Sequence, residues 1–219
     1  MRTIFEPARA GEVAPIRMLL LPAAYTEAHD FVREGFAAAV RGRRIGLDLV
    51  FAEPELENLG DHSIVDRLHS ELILPARALG CSLWLGGISL GGFIALRCAA
   101  QYARDLAGLC LFAPYLGSHI MTGEIARAHG MHSWEPGETA DDDDERRVWR
   151  FIKTRDPGTM PIHLGVGRED RFADRHALLA AALPAHEVDW ISGAHDWPTW
   201  RQLWENFLDR RFLPDSAHA

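Results

Sequence analysis

Cysteine is scarce in this chain of 219 residues: Cys81, Cys98 and Cys110 are the whole set, widely spaced and each in an apolar stretch. An odd count with no C-x-x-C pair argues against a disulfide framework, and the three read as small buried thiols. Positive charge is also in short supply. Against 31 acidic residues stand 23 basic ones, a formal charge of −8, which disfavours nucleic acid and anionic membrane surfaces as partners. No apolar run reaches membrane-spanning length, and the opening MRTIFEPARAGEVAP has no apolar h-region, so a cytoplasmic location is the expectation. Repeats and low-complexity linkers are missing too. The length suits one domain over residues 1–219, with ample chain to bury a core.

What is present is a regular alternation. The runs IRMLLLPAAY (16–25), IGLDLVFAEP (45–54), the stretch around 83–85, LAGLCLFAPYL (106–116), MPIHLGVGRED (160–170) and HEVDWIS (186–192) read as buried strands. Between them, residues 27–44, 63–79, 93–100 and 175–183 read as helices, and WPTWRQLWENFLDRRFL closes the chain as another, with Pro198 in its first turn. Ser63 and Asp66 have capping-box spacing, and Pro75 predicts a late kink in that helix. Strands alternating with helices imply an α/β fold: a doubly wound, mostly parallel sheet covered on both faces. Residues 117–156 break the rhythm with no strand signal, which marks an insertion, and about forty residues without a strand inside a compact domain point to function. Its run TADDDDERRVW reads as a helix start, with Thr139 as N-cap and acids in the first turn, rather than as a metal site, because consecutive aspartates point around a helix.

One segment demands a chemical reason. LWLGGISLGGFIALRC (83–98) puts four glycines among seven residues around Ser89. Glycine-dense chain loses the most entropy on folding, so a geometric need must offset that. A strand turning sharply into a helix through G-x-S-x-G is a nucleophile elbow. A serine hydroxyl needs a base, and an imidazole needs an acid on its far nitrogen. In order along the chain, Asp170 follows one later strand in GREDRF, and His195 follows the last in GAHDWPTW. Ten other histidines lack that setting and read as surface or packing residues. Asp174 lies a helical turn too far on, and Asp196 adjoins the histidine too closely to reach round it.

With GISLGG, GREDRF and GAHDWPTW in hand, the chain resembles the α/β-hydrolase superfamily from about residue 16 to 212, and looks like its small bacterial esterases and thioesterases. The resemblance implies Ser89 as nucleophile, His195 as general base and Asp170 as orienting acid. It also implies an oxyanion hole from the Leu90 amide and a second donor after the first core strand. There this chain departs from the common His-Gly: Pro22 has no N–H, Ala23 takes the glycine position, and Ala24 is the expected donor. Tyr25, Tyr115 and Trp197 are candidate pocket residues. Trp197, Trp200 and Trp204 share a helical spacing that also suits core packing.

The reading is therefore a serine hydrolase acting on a small ester, with a thioester second and an amide third, needing no cofactor and no metal. A homo-oligomer stays open. The 117–156 insertion is expected to cap the site, with Trp134, Trp149 and Ile152 supplying apolar walls, and to favour short or medium acyl chains. A silent binding protein on the same fold, or a lyase or perhydrolase with the same three residues, are the rival readings.

Overall fold

The computed structural model describes residues 1–54, 63–140, 142–156, 158–210 and 213. Seven strands make one sheet: β1 (Arg2–Glu6), β2 (Ile16–Leu21), β3 (Leu47–Glu53), β4 (Ser82–Ile88), β5 (Gly108–Phe112), β6 (Ile162–Gly167) and β7 (Val188–Ile191). Their order is β1-β3-β2-β4-β5-β6-β7, with β1 antiparallel to β3 and every other pair parallel. Successive side chains point to opposite faces, so β2 sends Ile16, Met18 and Leu20 to one layer and Leu19 and Leu21 to the other. That is why the strand runs are continuously apolar: both faces are buried.

The first layer comprises α1 (Ala28–Arg33), α2 (Phe36–Arg43) and, from the far end of the chain, α9 (Trp197–Asp209). The second holds α3 (Ser63–Leu68), α4 (Leu74–Ala78), α5 (Leu90–Tyr102), α6 (His119–Arg127), α7 (Asp144–Thr154) and α8 (Ala173–Ala180). Among the described residues no helix is long and apolar enough to cross a membrane.

Several local expectations give way. β1 was not anticipated; it is a short edge strand with most of its residues exposed, so it carries no continuous apolar signal. The 27–44 helix is two helices, because Gly35 adopts φ +85° at their junction. Ahead of Pro75, residues 69–73 form one π-helical turn between α3 and α4. A wider turn accommodates the missing proline donor. Asp66 also sends its carboxylate to Tyr102 Oη at 2.7 Å and Gln101 Nε2 at 3.0 Å, tying α3 to the end of α5, while the expected Ser63 cap borders residues outside the described ones. The cap of α7 is Asp143, which accepts from the Arg146 amide at 2.9 Å, not Thr139. The last helix ends at Asp209, and residues 211–212 of the expected span lie outside the described residues.

The segment 117–156 also resolves into parts. α7 is a helix of the second layer: Val148, Trp149 and Ile152 are buried in its core. Trp134 and Trp149 are buried as well, donating to Glu124 Oε1 at 2.8 Å and to the Leu116 carbonyl at 2.9 Å. Trp134 and Trp149 are structural side chains, whereas Ile152 also borders a groove with His129, Met131 and Lys153. The helical spacing of Val148, Trp149 and Ile152 reflected a face turned toward the sheet.

Candidate active site

β2 leads into the first layer and β4 into the second, so their carboxyl ends open a crevice at a topological switch point. Ser89 stands there, between β4 and α5, with φ 50° and ψ −111°. A non-glycine residue held in so sparse a region costs about 1–3 kcal/mol and persists only where its surroundings over-determine it. Here they do: its amide donates to the Phe112 carbonyl at 3.0 Å, and its carbonyl accepts from Phe93 at 3.1 Å and Tyr115 at 2.8 Å. The neighbouring glycines have a steric reason. A Cβ on Gly87 would stand 2.5 Å from the Gly91 carbonyl carbon, and one on Gly91 would stand 2.2 Å from the Leu21 carbonyl oxygen. The elbow closes only because the first turn of α5 lies directly on its own strand and on the end of β2.

Ser89 Oγ lies 3.0 Å from His195 Nε2, and His195 Nδ1 lies 2.6 Å from Asp170 Oδ2. Three loops, after β4, β6 and β7, thus deliver one hydrogen-bonded chain of side chains. The Asp170 side chain is wholly buried. Burial pushes its carboxyl up, but the hydrogen bonds from His195 and from the Phe172 amide (2.8 Å) outweigh that and hold it below the usual carboxylate value. The neighbouring acids have other work. Asp196 caps α9, accepting from Thr199 N at 3.1 Å and Oγ1 at 2.7 Å. Glu169 accepts from the Gly193 amide and from Ser192 Oγ at 3.2 Å, while its own amide donates to the Gly193 carbonyl at 3.0 Å. It thereby clamps the loop that carries His195, and the Gly193 amide above all holds its carboxyl low.

Residues 23–26 form a tight turn, with Thr26 N and Oγ1 donating to the Ala23 carbonyl at 3.2 and 2.9 Å. Among the described residues neither the Ala24 nor the Leu90 amide has an acceptor. Leu90 is also the first residue of a 13-residue helix, whose N-terminal dipole favours negative charge. Tyr25, in the same turn, is 98% exposed with φ +62°; it stands free in solvent rather than against a pocket wall. The Tyr115 ring packs edge-on to Phe93 at 5.2 Å and its hydroxyl donates to Glu145 at 3.0 Å, with burial and that bond pushing it up to about 12. Trp197 packs edge-on against Phe31, Phe36 and Trp200 in the first layer.

The aromatic neighbours of His195 are instead Trp200, edge-on at 5.1 Å, and Phe172, edge-on at 5.3 Å. Sequence reasoning missed both in that role. Phe172 stands two residues past Asp170, the offset at which its amide reaches back to Asp170 Oδ1, so the GREDRF motif held the signal. His176, also read as packing, is fully buried one turn into α8, with Nε2 3.1 Å from the Pro114 carbonyl. Burial lowers its pKa and the nearby Asp170 charge opposes that.

Strand order, the elbow and the placement of the three side chains define the α/β-hydrolase fold, and the chain adopts it. Solved structures give the comparison a particular form. The fluorophosphonate-binding serine hydrolase FphF of Staphylococcus aureus superposes with a TM-score of 0.63 at 13% identity, covering 91% of this chain and 85% of that one. An α/β serine hydrolase homologue from Coxiella burnetii gives 0.62 at 15% identity, covering 96% and 91%. Est1E of Butyrivibrio proteoclasticus gives 0.61 at 12%, covering 95% and 93%. No family model matches the chain, and no curated protein matches it in sequence.

Proposed function

We propose that this protein is a serine hydrolase that cleaves a small carboxylic ester, with a thioester as the second substrate class. The observation that carries the reading is the continuous chain from Ser89 Oγ through His195 to the buried Asp170, at 3.0 and 2.6 Å, on a strained elbow. The serine hydrolases and esterases among its structural neighbours support ester hydrolysis in general.

In this reading His195 Nε2 takes the Ser89 proton as Oγ attacks the acyl carbon. The carbonyl oxygen becomes an oxyanion, facing the amides of Leu90 and Ala24. As the tetrahedral species collapses, the bond to the alcohol oxygen breaks and His195 returns the proton to that oxygen. Water, deprotonated by the same nitrogen, then cleaves the acyl–Oγ ester and releases the acid. Asp170 keeps the imidazole proton on Nδ1 and stabilises the imidazolium. No step calls on a cofactor, and the partner is a small-molecule acyl ester. Of the 117–156 segment, the part from Gly117 to the start of α7 is the proposed cap, and short to medium acyl chains fit its size.

Reaction with a fluorophosphonate probe tests the assignment. The wild type should label and Ser89→Ala should not, with hydrolysis of a short p-nitrophenyl ester falling about 10³-fold or more. A folded Ser89→Ala protein that keeps most of its activity refutes the nucleophile. Absence of labelling in the wild type favours a silent binding protein.

A further inference from the structure

We propose that the groove between α6 and α8 receives the alcohol-derived part of the substrate, and that this part carries an anion, a carboxylate or a phosphate. The inference rests on the hydrolase reading and specifies its substrate. The groove has a volume of about 410 Å³ and is bordered by His119, Thr122, Arg171, Phe172, Arg175 and Leu178. Phe172 is its shared wall with the reacting groups. The ring lies 5.3 Å from that of His195, and the guanidinium carbons of Arg171 and Arg175 stand over it at 4.8 and 5.3 Å.

Charge in the groove runs against the rest of the molecule. The chain carries a formal −8, and Arg146, Arg155 and Arg17, buried or half-buried elsewhere, are matched to acids: Arg146 to Glu124 and Asp143, Arg155 to Glu187, Arg17 to Asp48. In the groove Arg175 is half-buried and Arg171 exposed. Neither Arg171 nor Arg175 has a carboxylate within ion-pair distance among the described residues, although Asp174 also borders the groove. Arg175 is nonetheless held in place. It donates to the Gly117 carbonyl at 3.3 Å and to His119 Nε2 at 2.7 Å. A guanidinium has no acceptor, so His119 accepts through Nε2 and keeps its own proton on Nδ1. An oriented guanidinium that shares an aromatic wall with a second one suits the oxygens of a carboxylate or phosphate.

The mechanism decides which end of the substrate lies there. The carbonyl oxygen faces Leu90 and Ala24, on the β2 side of Ser89. The leaving oxygen must face His195, which returns its proton, and Phe172 and the groove lie on the His195 side. The anion therefore belongs to the alcohol.

Acetate esters of three phenols test this: 4-acetoxybenzoate, 4-acetoxyphenyl phosphate and the neutral 4-acetoxybenzamide, each kcat/KM divided by the alkaline hydrolysis rate of the same ester. One anionic ester at least should exceed the amide about tenfold, and the two anions tell carboxylate from phosphate. The Arg171→Gln/Arg175→Gln protein should bring that ratio close to one, whatever its absolute rate, and Arg171→Glu should invert it. A ratio near one in the wild type, or one that survives the double substitution, overturns the inference. A protein that labels with fluorophosphonate but shows no anion preference loses the inference and keeps the hydrolase reading; one that neither labels nor hydrolyses any ester loses both.

Discussion

On the α1–α2–α9 face of the sheet, cohesion is aromatic: Phe31 stacks on Phe51 at 4.9 Å, Phe36 on Trp204 at 5.3 Å, and Trp204 on Phe207 at 5.6 Å. On the other face aliphatic side chains dominate, and buried ion pairs join the elements. Arg97 of α5 meets Asp144 of α7 at 2.5 Å, and Arg155 meets Glu187 at 3.3 Å with both side chains buried. Rings gain from area and offset geometry, which tolerate small shifts. A buried ion pair gains only if its geometry holds, since desolvation cancels most of the attraction. The proposed site lies across this divide. His195 comes from the loop entering the aromatic layer, with Trp200 behind it, whereas Asp170 comes from the loop entering the other layer.

The link between the layers is where substitution should cost most. Asp170→Asn should lower kcat for ester hydrolysis about 10⁴-fold, because the amide favours the wrong imidazole tautomer. Steady-state kinetics on protein with an unchanged circular dichroism spectrum is the measurement. Next comes the aromatic layer itself. Trp204→Ala should destabilise by about 3–5 kcal/mol in urea unfolding, removing two stacks and the 3.0 Å hydrogen bond to the Phe36 carbonyl.

Much of this was legible in the sequence because one-dimensional signals coincided with burial. The apolar runs located six of the seven strands, and the glycines around Ser89 announced an elbow before its φ was known. The resemblance paired Asp170 with His195, and the fold sets them 2.6 Å apart. What stayed hidden depends on neighbours distant in sequence. Trp197, Trp200 and Trp204 share a helical face, yet it is Trp200 that meets His195, because the Asp196 cap sets where α9 begins. Thr139 and Asp143 are both good caps, and the choice falls to Asp143, where the Arg146 amide and guanidinium both reach its carboxylate. Trp149 looked like a pocket wall because its helix stands outside the strand rhythm; packing on α5 fills the second layer instead.

The ion-paired layer gives a sharper test of the contrast. Asp144→Ala should cost about 3 kcal/mol by leaving the buried Arg97 guanidinium short of its carboxylate, and Arg97→Met with Asp144→Leu should recover most of it. If the double variant is as unstable as the single, the pair is more than an exchangeable joint. The smallest effect is expected at the layer's rim. Glu124 accepts two hydrogen bonds from Arg146 at 2.8 Å and one from Trp134, which hold its carboxyl at about 2. A depressed carboxyl stabilises the fold above its ordinary value and loses that contribution as pH falls through the folded one. Glu124→Gln should therefore cost about 1 kcal/mol near neutrality, with the difference from wild type shrinking between roughly pH 4.5 and 2. A constant difference across that range would place the effect in packing.

The Ser89 carbonyl has a consequence for anyone redesigning this molecule. Because it takes the Tyr115 amide at 2.8 Å, and because Ser118 is fastened to Glu145 through both N and Oγ at 2.9 and 2.8 Å, the stretch leaving β5 is bolted to the elbow and will not accept extra chain. Further along, Gly137 sits exposed at φ +62° with nothing within 4 Å of where a side chain would begin. New lids, longer loops or reporter peptides should be spliced there, where the graft can be exchanged like a tool head while the elbow keeps its register.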